Sequence, residues 1–534
     1  MSAAPPGGDG ERARTGRSGG RGLRRPARGL QPATRTRHRR WRLAPIAASV
    51  ACVLTLLLAV LRPPSTTAAT GKPNIVFVLT DDLSTNLVTQ QFMPNLWALM
   101  HQGTSFTNYF VSDSLCCPSR ASIFTGRFPH DTGVYTNSGA NGGYLAFLSH
   151  GDEHSTLATD LHAAGYRTAM MGKYLNRYHV TDPPAPGWDV WDVADWGYPE
   201  FNYSLNENGQ IVHCGGPNVK GKDNYLTDVL ASLGASFIRT TAKNSPNKPF
   251  FLEVATFAPH APFTPSPKYA KLYPGLRYPK TLAFDAPTIN PPPWLRSAKP
   301  LSSTALAVIA GDFRLRAQAV KSIDDLIGNL VGALRATGKL ADTYFVFSSD
   351  NGFHMGEHEL DPGKLTAFDT DIQVPLIVVG PGVAKDHQAS AFAQNVDLRS
   401  TFDEFAGTRP SEPVDGRSVV PLLSPSTPPV PQGWPQGALI EHQGPVVSKR
   451  DPDYQSAAAA NPPSYRALRL PGALYVEYSD GSREYYNLDA DPYELDNVSG
   501  ALTRAERSAL HRELAAAMSC HTTASCAAAF SASG

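Results

Sequence analysis

The chain has 534 residues, 48 of them lysine or arginine against 47 aspartate or glutamate, with 46 prolines and only six cysteines. That composition is globular and excludes collagen-like, wholly disordered and disulfide-dense chains. The near-neutral total hides an asymmetry: residues 1–69 carry thirteen arginines, no lysine and only Asp9 and Glu11, which leaves 35 basic and 45 acidic residues in the body. An acidic body excludes a nucleic-acid-coating role, so any anionic ligand must be met by a local cluster.

In chain order, residues 1–42 are rich in Arg, Gly and Pro, cannot bury a core and are expected to be disordered. Residues 43–69 are apolar from Leu43 to Leu61 and close on Thr67-Ala68-Ala69, a small-residue cleavage pattern, so they read as an export signal. The apolar stretch is also long enough to stay as a signal anchor. Either outcome puts the body outside the cytoplasm, secreted or membrane-anchored.

Residues 70–408 form the expected catalytic body. Asn74 to Leu79, Tyr166 to Met171, Phe250 to Thr256 and Tyr344 to Ser348 are short β-branched and aromatic runs, read as buried strands. Met93 to His101, Ser155 to Ala164, Tyr225 to Thr240 and Ser303 to Thr337 are helical between them. That alternation implies an α/β fold, a largely parallel sheet with helices on both faces, whose ligands bind beyond the carboxyl ends of the strands. Each strand run ends in a polar motif: Asp81-Asp82, Gly172-Lys173, Pro259-His260 and Asp350-Asn351.

Pro259 to Pro300 is too rich in proline for a core element and is expected to shape a pocket. Residues 409–534 are expected to form a small antiparallel subdomain from Tyr465-Arg-Ala-Leu-Arg-Leu, Leu474-Tyr-Val-Glu-Tyr and Arg483-Glu-Tyr-Tyr-Asn-Leu, with a closing helix over Leu502 to Met518. Cys520 and Cys526 are spaced to close a short disulfide loop, and Cys214 is expected to be buried. Asn202 and Asn497 fit the glycan-acceptor pattern.

The segment Leu115-Cys116-Cys117-Pro118-Ser119-Arg120, continuing to Thr125-Gly126-Arg127, puts a thiol at a helix N-terminus beside two arginines. Helix N-termini favour negative charge, and arginine holds an oxyanion with two hydrogen bonds. A thiol phosphatase loop needs five residues between cysteine and arginine, and position 122 is Ser, which excludes it. Asp81, Asp82, Asp350 and Asn351 supply hard oxygen ligands suited to calcium or magnesium, whereas a thiol at position 116 is a soft companion for such an ion. An oxygen species at that position removes the mismatch. His130, close after the helix, is a further candidate to line the pocket.

The segment resembles the sulfatase signature Cys-x-Pro-Ser-Arg followed by Thr-Gly-Arg. The resemblance runs over residues 72 to 500 and includes Pro-Asn-Ile-Val-Phe-Val-Leu-Thr-Asp-Asp, Gly172-Lys173-Tyr174-Leu175-Asn176, Pro259-His260-Ala261-Pro262, Ser349-Asp350-Asn351-Gly352 and Asp489-Ala-Asp-Pro-Tyr-Glu-Leu-Asp-Asn. It implies an alkaline-phosphatase-like fold and oxidation of Cys116 to formylglycine by a formylglycine-generating enzyme. It implies calcium, with magnesium as the alternative, held by Asp81, Asp82, Asp350, Asn351 and residue 116. In that scheme one hydroxyl of the hydrated aldehyde attacks sulfur and the other expels sulfate. Arg120 would orient the nucleophile, while Lys173, His260 and Lys364 would hold sulfate, with His260 or Lys364 protonating the leaving alkoxide.

Many arylsulfatases carry histidine where this chain has Leu175, and the motifs are more similar to those of N-acetylglucosamine-6-sulfatases and heparan endosulfatases. A sulfated carbohydrate, glucosamine 6-O-sulfate in type, is the implied substrate. The alternatives are a broad arylsulfatase, a phosphonate or phosphate ester hydrolase of the same superfamily, and a non-enzymatic carbohydrate-binding relative.

Overall fold

The structure is a computed structural model that describes residues 71–215, 224–425, 429–446, 449, 451 and 453–530. The expectations for residues 1–42 and for the signal stretch lie outside those residues. No described helix is long and apolar enough to cross a membrane.

Seven consecutive buried residues make up Asn74–Thr80, a strand with neighbours on both edges and helices over both faces. A strand so placed needs apolar side chains at every position rather than at every second one. Ile75, Phe77 and Leu79 enter one core with Ala121, Leu157 and Phe402, while Val76 and Val78 enter the other with Leu230, Phe313 and Ile323. Each fully buried side chain of this size contributes roughly 1.5–3 kcal/mol.

Five strands run parallel across the centre: Thr343–Ser349, Asn74–Thr80, Phe250–Ala255, Arg167–Lys173 and Val190–Ala194. Their carboxyl ends therefore share one edge. The flanks are mixed. Leu376–Val379 is antiparallel to its neighbours, Thr104–Phe106 and His387–Ala389 complete that side, and Tyr203–Glu207 with Gln210–Cys214 forms a hairpin on the other. Cys214, expected to be buried, is half-buried on that edge hairpin.

Leu226–Asn244 and Ser303–Ala336 bury their apolar faces in one core. The longer helix is capped by the Ser302 side chain, which accepts from the Ala305 N–H. On the opposite face lie Cys116–Thr125, Leu157–Ala163 and Asp397–Phe405. The Cys116 helix stops at Gly126, whose φ of 68° is the left-handed cap that glycine adopts without strain.

The four-stranded antiparallel sheet runs Ala438–His442, Tyr465–Leu470, Ala473–Tyr478, Arg483–Asn487. Its first strand was not expected, since it emerges from a proline-rich stretch with little run-up. One face of this sheet, with Ala467, Leu474, Val476 and Tyr486, belongs to the same core as Phe77 and Phe402. The other carries Leu439, Leu468 and Tyr475 against Leu514 of Arg504–Ala517. Cys520 and Cys526 are joined by a disulfide, with Cα atoms 4.9 Å apart. Asn497 is buried and bonded to the backbone at Asn290, Arg483, Tyr485 and Ser499, so it is a structural clamp inside the fold.

Candidate active site

All four polar motifs at the strand ends meet on one shared point. Asp81 and Asp82 follow Asn74–Thr80, Lys173 ends Arg167–Lys173, His260 lies just beyond Phe250–Ala255, and Asp350-Asn351 follows Thr343–Ser349. The helix that starts at Cys116 points its N-terminus into the same place. Cys116, Arg120, Asp81, Asp350 and Asn351 have no exposed surface, and Asp82, Lys173, His260 and Lys364 are almost as closed.

Cys116 Sγ lies 3.2 Å from Asp81 Oδ1 and 3.0 Å from Lys364 Nζ. Lys173 Nζ lies 2.5 Å from Asp81 Oδ2, and Lys364 Nζ lies 2.6 Å from Asp82 Oδ1. Arg120, one helical turn after Cys116, donates Nε to Asp350 Oδ2 at 2.7 Å and Nη1 to the Lys173 carbonyl at 2.9 Å. Its Nη2 has no partner among the described residues.

Asp82 adopts φ 60°, a left-handed conformation unusual for a side-chain-bearing residue. Three contacts fix it: its N–H donates to Asp350 Oδ1, Asn351 Nδ2 donates to its Oδ1, and Arg316 Nη2 donates to its carbonyl at 2.6 Å. Arg316 is fully buried on the Ser303–Ala336 helix, and a motif search gives no reason to notice it.

Burial, with Asp453 and Asp81 behind it, pushes the Cys116 thiol well above its ordinary range, although Lys173 and Lys364 pull the other way. An unmodified thiol here is neutral and a poor nucleophile. Burial, and then Asp350, pushes the Asp81 carboxyl up to about 6. Burial would raise Asp350 too, but Arg120, Lys173 and Lys364 hold it below its usual range. Burial opposes the His260 imidazolium, yet Asp82, Asp81 and Asp453 keep it above its ordinary value.

Ligand atoms of Asp81, Asp82, Cys116 and His260 all lie within 4.8 Å of one another. Among the described residues the Asn351 Oδ1 atom, buried close by, receives no hydrogen bond. Such an excess of hard oxygen around an unpartnered carbonyl oxygen fits a divalent cation of the calcium or magnesium type.

Two sequence candidates lie elsewhere. His130 does not line the pocket: its Nδ1 faces Glu441 at 2.7 Å and its Nε2 faces the Cys520 carbonyl at 2.8 Å. Arg127, the second signature arginine, pairs with Asp152 at 2.6 Å rather than with the site. In the other direction, Asp453 is a member that motif reading passed over. Its Oδ1 lies 2.6 Å from Lys364 Nζ and 2.7 Å from His260 Nε2, and its Oδ2 accepts from Asn137 Nδ2 and, at 3.2 Å, from Asn176 Nδ2. Asn176 belongs to the Gly-Lys-Tyr-Leu-Asn motif, which was the only available hint.

This arrangement agrees with the comparisons. The family profile described as Sulfatase matches residues 73–408. The chain belongs to the sulfatase family. Human N-acetylglucosamine-6-sulfatase is 33% identical over 461 residues, covering 81% of this chain and 82% of the human protein. Among solved structures, one described as a complex with its substrate D-glucosamine-2-N,6-O-disulfate has a TM-score of 0.68 at 21% identity, covering 83% of this chain and 97% of that one. A phosphonate monoester hydrolase from Silicibacter pomeroyi has a TM-score of 0.61 at 21% identity, covering 83% and 93%. These two likenesses establish the alkaline-phosphatase-like fold of this sulfatase.

Proposed function

We propose that this sulfatase hydrolyses the 6-O-sulfate ester of glucosamine-type sugars outside the cytoplasm. In this reading a formylglycine-generating enzyme converts Cys116, and Asp81, Asp82, Asp350 and Asn351 hold calcium. The observation that carries it is the meeting of Cys116 with Lys173, Lys364, His260 and three carboxylates at one buried strand-end point. The likeness to N-acetylglucosamine-6-sulfatase over four-fifths of both chains supports the sugar.

In the family reaction formylglycine supplies the attacking hydroxyl, and the divalent cation supplies the positive charge that favours its deprotonated form. The side chains of this protein do the rest. Arg120 fixes Asp350 and the Lys173 carbonyl, and keeps Nη2 as a donor for the oxygen on residue 116. Lys364, already 3.0 Å from the residue-116 side chain, and Lys173 offset the charge that builds on sulfate oxygens. His260 donates Nδ1–H to the Ala261 carbonyl at 2.8 Å, which turns Nε2 inward. Carboxylates on that side favour its protonated form against the effect of burial, so Nε2 is the group suited to protonate the leaving sugar alkoxide.

The test has two parts. Peptide mass spectrometry across residues 107–127, on protein made with the maturation enzyme, is expected to show a loss of about 18 Da at Cys116. The matured protein is expected to release sulfate from N-acetylglucosamine 6-sulfate faster than it releases the alcohol from phosphonate or phosphate monoesters. The reverse ranking would overturn the sulfatase chemistry in favour of the phosphonate reading.

A further inference from the structure

Asp453 is seated as a bound anion is. Its side chain is 1% exposed and collects four donors, two of them cationic and two of them carboxamides, from elements far apart in the chain. Under the proposed function Lys364 faces the sulfate oxygens and His260 the ester oxygen that leaves, and both are committed to the same Asp453 oxygen. That oxygen stands 3.8 Å from Cys116 Sγ. Two basic side chains at 2.6 and 2.7 Å from one oxygen, with two carboxamide donors on the other, make this a seat for an anion.

Access tells the same story. A cavity of about 640 Å³ opens beside the site and is lined by Asp82, His260, Asp453, Phe353, Tyr454 and Gln455, whereas Cys116 and Lys364 are not on its wall. Asp453 therefore lines the cavity while its Oδ1 lies 3.8 Å from the Cys116 side chain. Two anions cannot share one set of donors in so closed a space.

We propose that the Asp453 carboxylate is a built-in stand-in for the substrate's sulfate group, and that a sulfate ester must displace it to reach residue 116. The proposal rests on the reading of Lys364 and His260 as the groups that meet the sulfate ester. It makes the seat selective. A free sulfate ion brings only its charge to the exchange, whereas a sulfated sugar adds contacts in the adjoining cavity that offset the loss of the carboxylate. Apparent affinity for any ligand is reduced by the fraction of time the seat is free, so removing the stand-in should strengthen binding of the bare ion most visibly.

Equilibrium dialysis of radiolabelled inorganic sulfate tests this on the full chain, loaded with calcium, with Cys116 left as the thiol and ionic strength held constant. Asp453→Ala is expected to bind sulfate about tenfold more tightly than the parent, or better, corresponding to a seat free no more than about a tenth of the time. Adding His260→Ala to that variant is expected to remove the gain. Equal, weaker or absent sulfate binding in Asp453→Ala overturns the proposal and makes Asp453 a permanent acceptor that positions His260. Circular dichroism checks the fold. Should the alanine variant fail to fold, Asp453→Asn keeps the shape without the charge and is held to the same outcomes. Dialysis involves no turnover, so a matured protein that releases no sulfate from glucosamine 6-sulfate would refute the proposed function separately.

Discussion

The two ends of the Cys116–Thr125 helix each meet a fully buried arginine, and the two arginines are treated differently. At the C-terminal end Arg399 is saturated. Nε and Nη2 clasp Asp160, Nη1 takes the Thr125 and Ser155 carbonyls at 2.8 and 2.9 Å, and Nη2 also reaches the Ser155 and Ser411 hydroxyls. At the N-terminal end Arg120 has one carboxylate, one carbonyl and an Nη2 without a partner among the described residues. A buried polar group left unpaired costs stability, so natural folds close such groups unless chemistry needs them open. One end of the helix is built to hold, the other to react.

That contrast can be broken at several points. Cys116→Ala should lower sulfate release on the order of 10⁴-fold or more while leaving the melting temperature close to that of the parent. Near-normal turnover would deny the reactive end its nucleophile. Arg399→Ala should do the opposite. It strands the buried Asp160 carboxylate, and urea unfolding should show a loss of about 3–5 kcal/mol, with kcat per folded molecule retained. A fall in kcat without a fall in stability would erase the distinction between the two ends.

Cys117→Ala sharpens the register. Cys117 is buried in the apolar core and its N–H bonds Asn137, so its loss should cost about 1 kcal/mol with turnover within a few-fold of the parent. A collapse in aldehyde formation would instead give Cys117 a part in maturation.

The smallest expected effect is a pH slope at His130, just beyond the closed end. Burial works against its charged form, but the hydrogen bond and charge of Glu441 raise it from 6.5 to about 9. Both ring nitrogens face acceptors, as the doubly protonated ring requires. The added stability is fully present below pH 6.5 and lost as pH climbs through about 9. His130→Gln should flatten that part of the stability profile, and an unchanged slope would remove the charge from this contact.

Much of the strand-end edge was legible in the sequence. Asp81-Asp82 and Asp350-Asn351 each follow an unbroken apolar run. Once a sheet is parallel, the ends of its strands are obliged to share an edge. Strands with no such run, Ala438–His442 and the Tyr203 hairpin among them, were not recovered, because short edge strands are specified by their neighbours more than by their own residues. Arg127 and His130 show the opposite failure: proximity to a motif in sequence did not bring them to the site.

By itself the sequence determined the α/β plan, the helix start that carries Cys116, the family and the set of strand-end oxygens, because apolar periodicity and local motifs act over a few residues. Only the tertiary structure decided which arginine would be saturated and which left open. It also decided that Asp453, 337 residues from Cys116, would stand in the anion seat. An aspartate in the stretch Asp451-Pro452-Asp453 reads as solvated loop chemistry, and it becomes part of the site only when the chain's far end folds back over the strand edge and surrounds its carboxylate with donors.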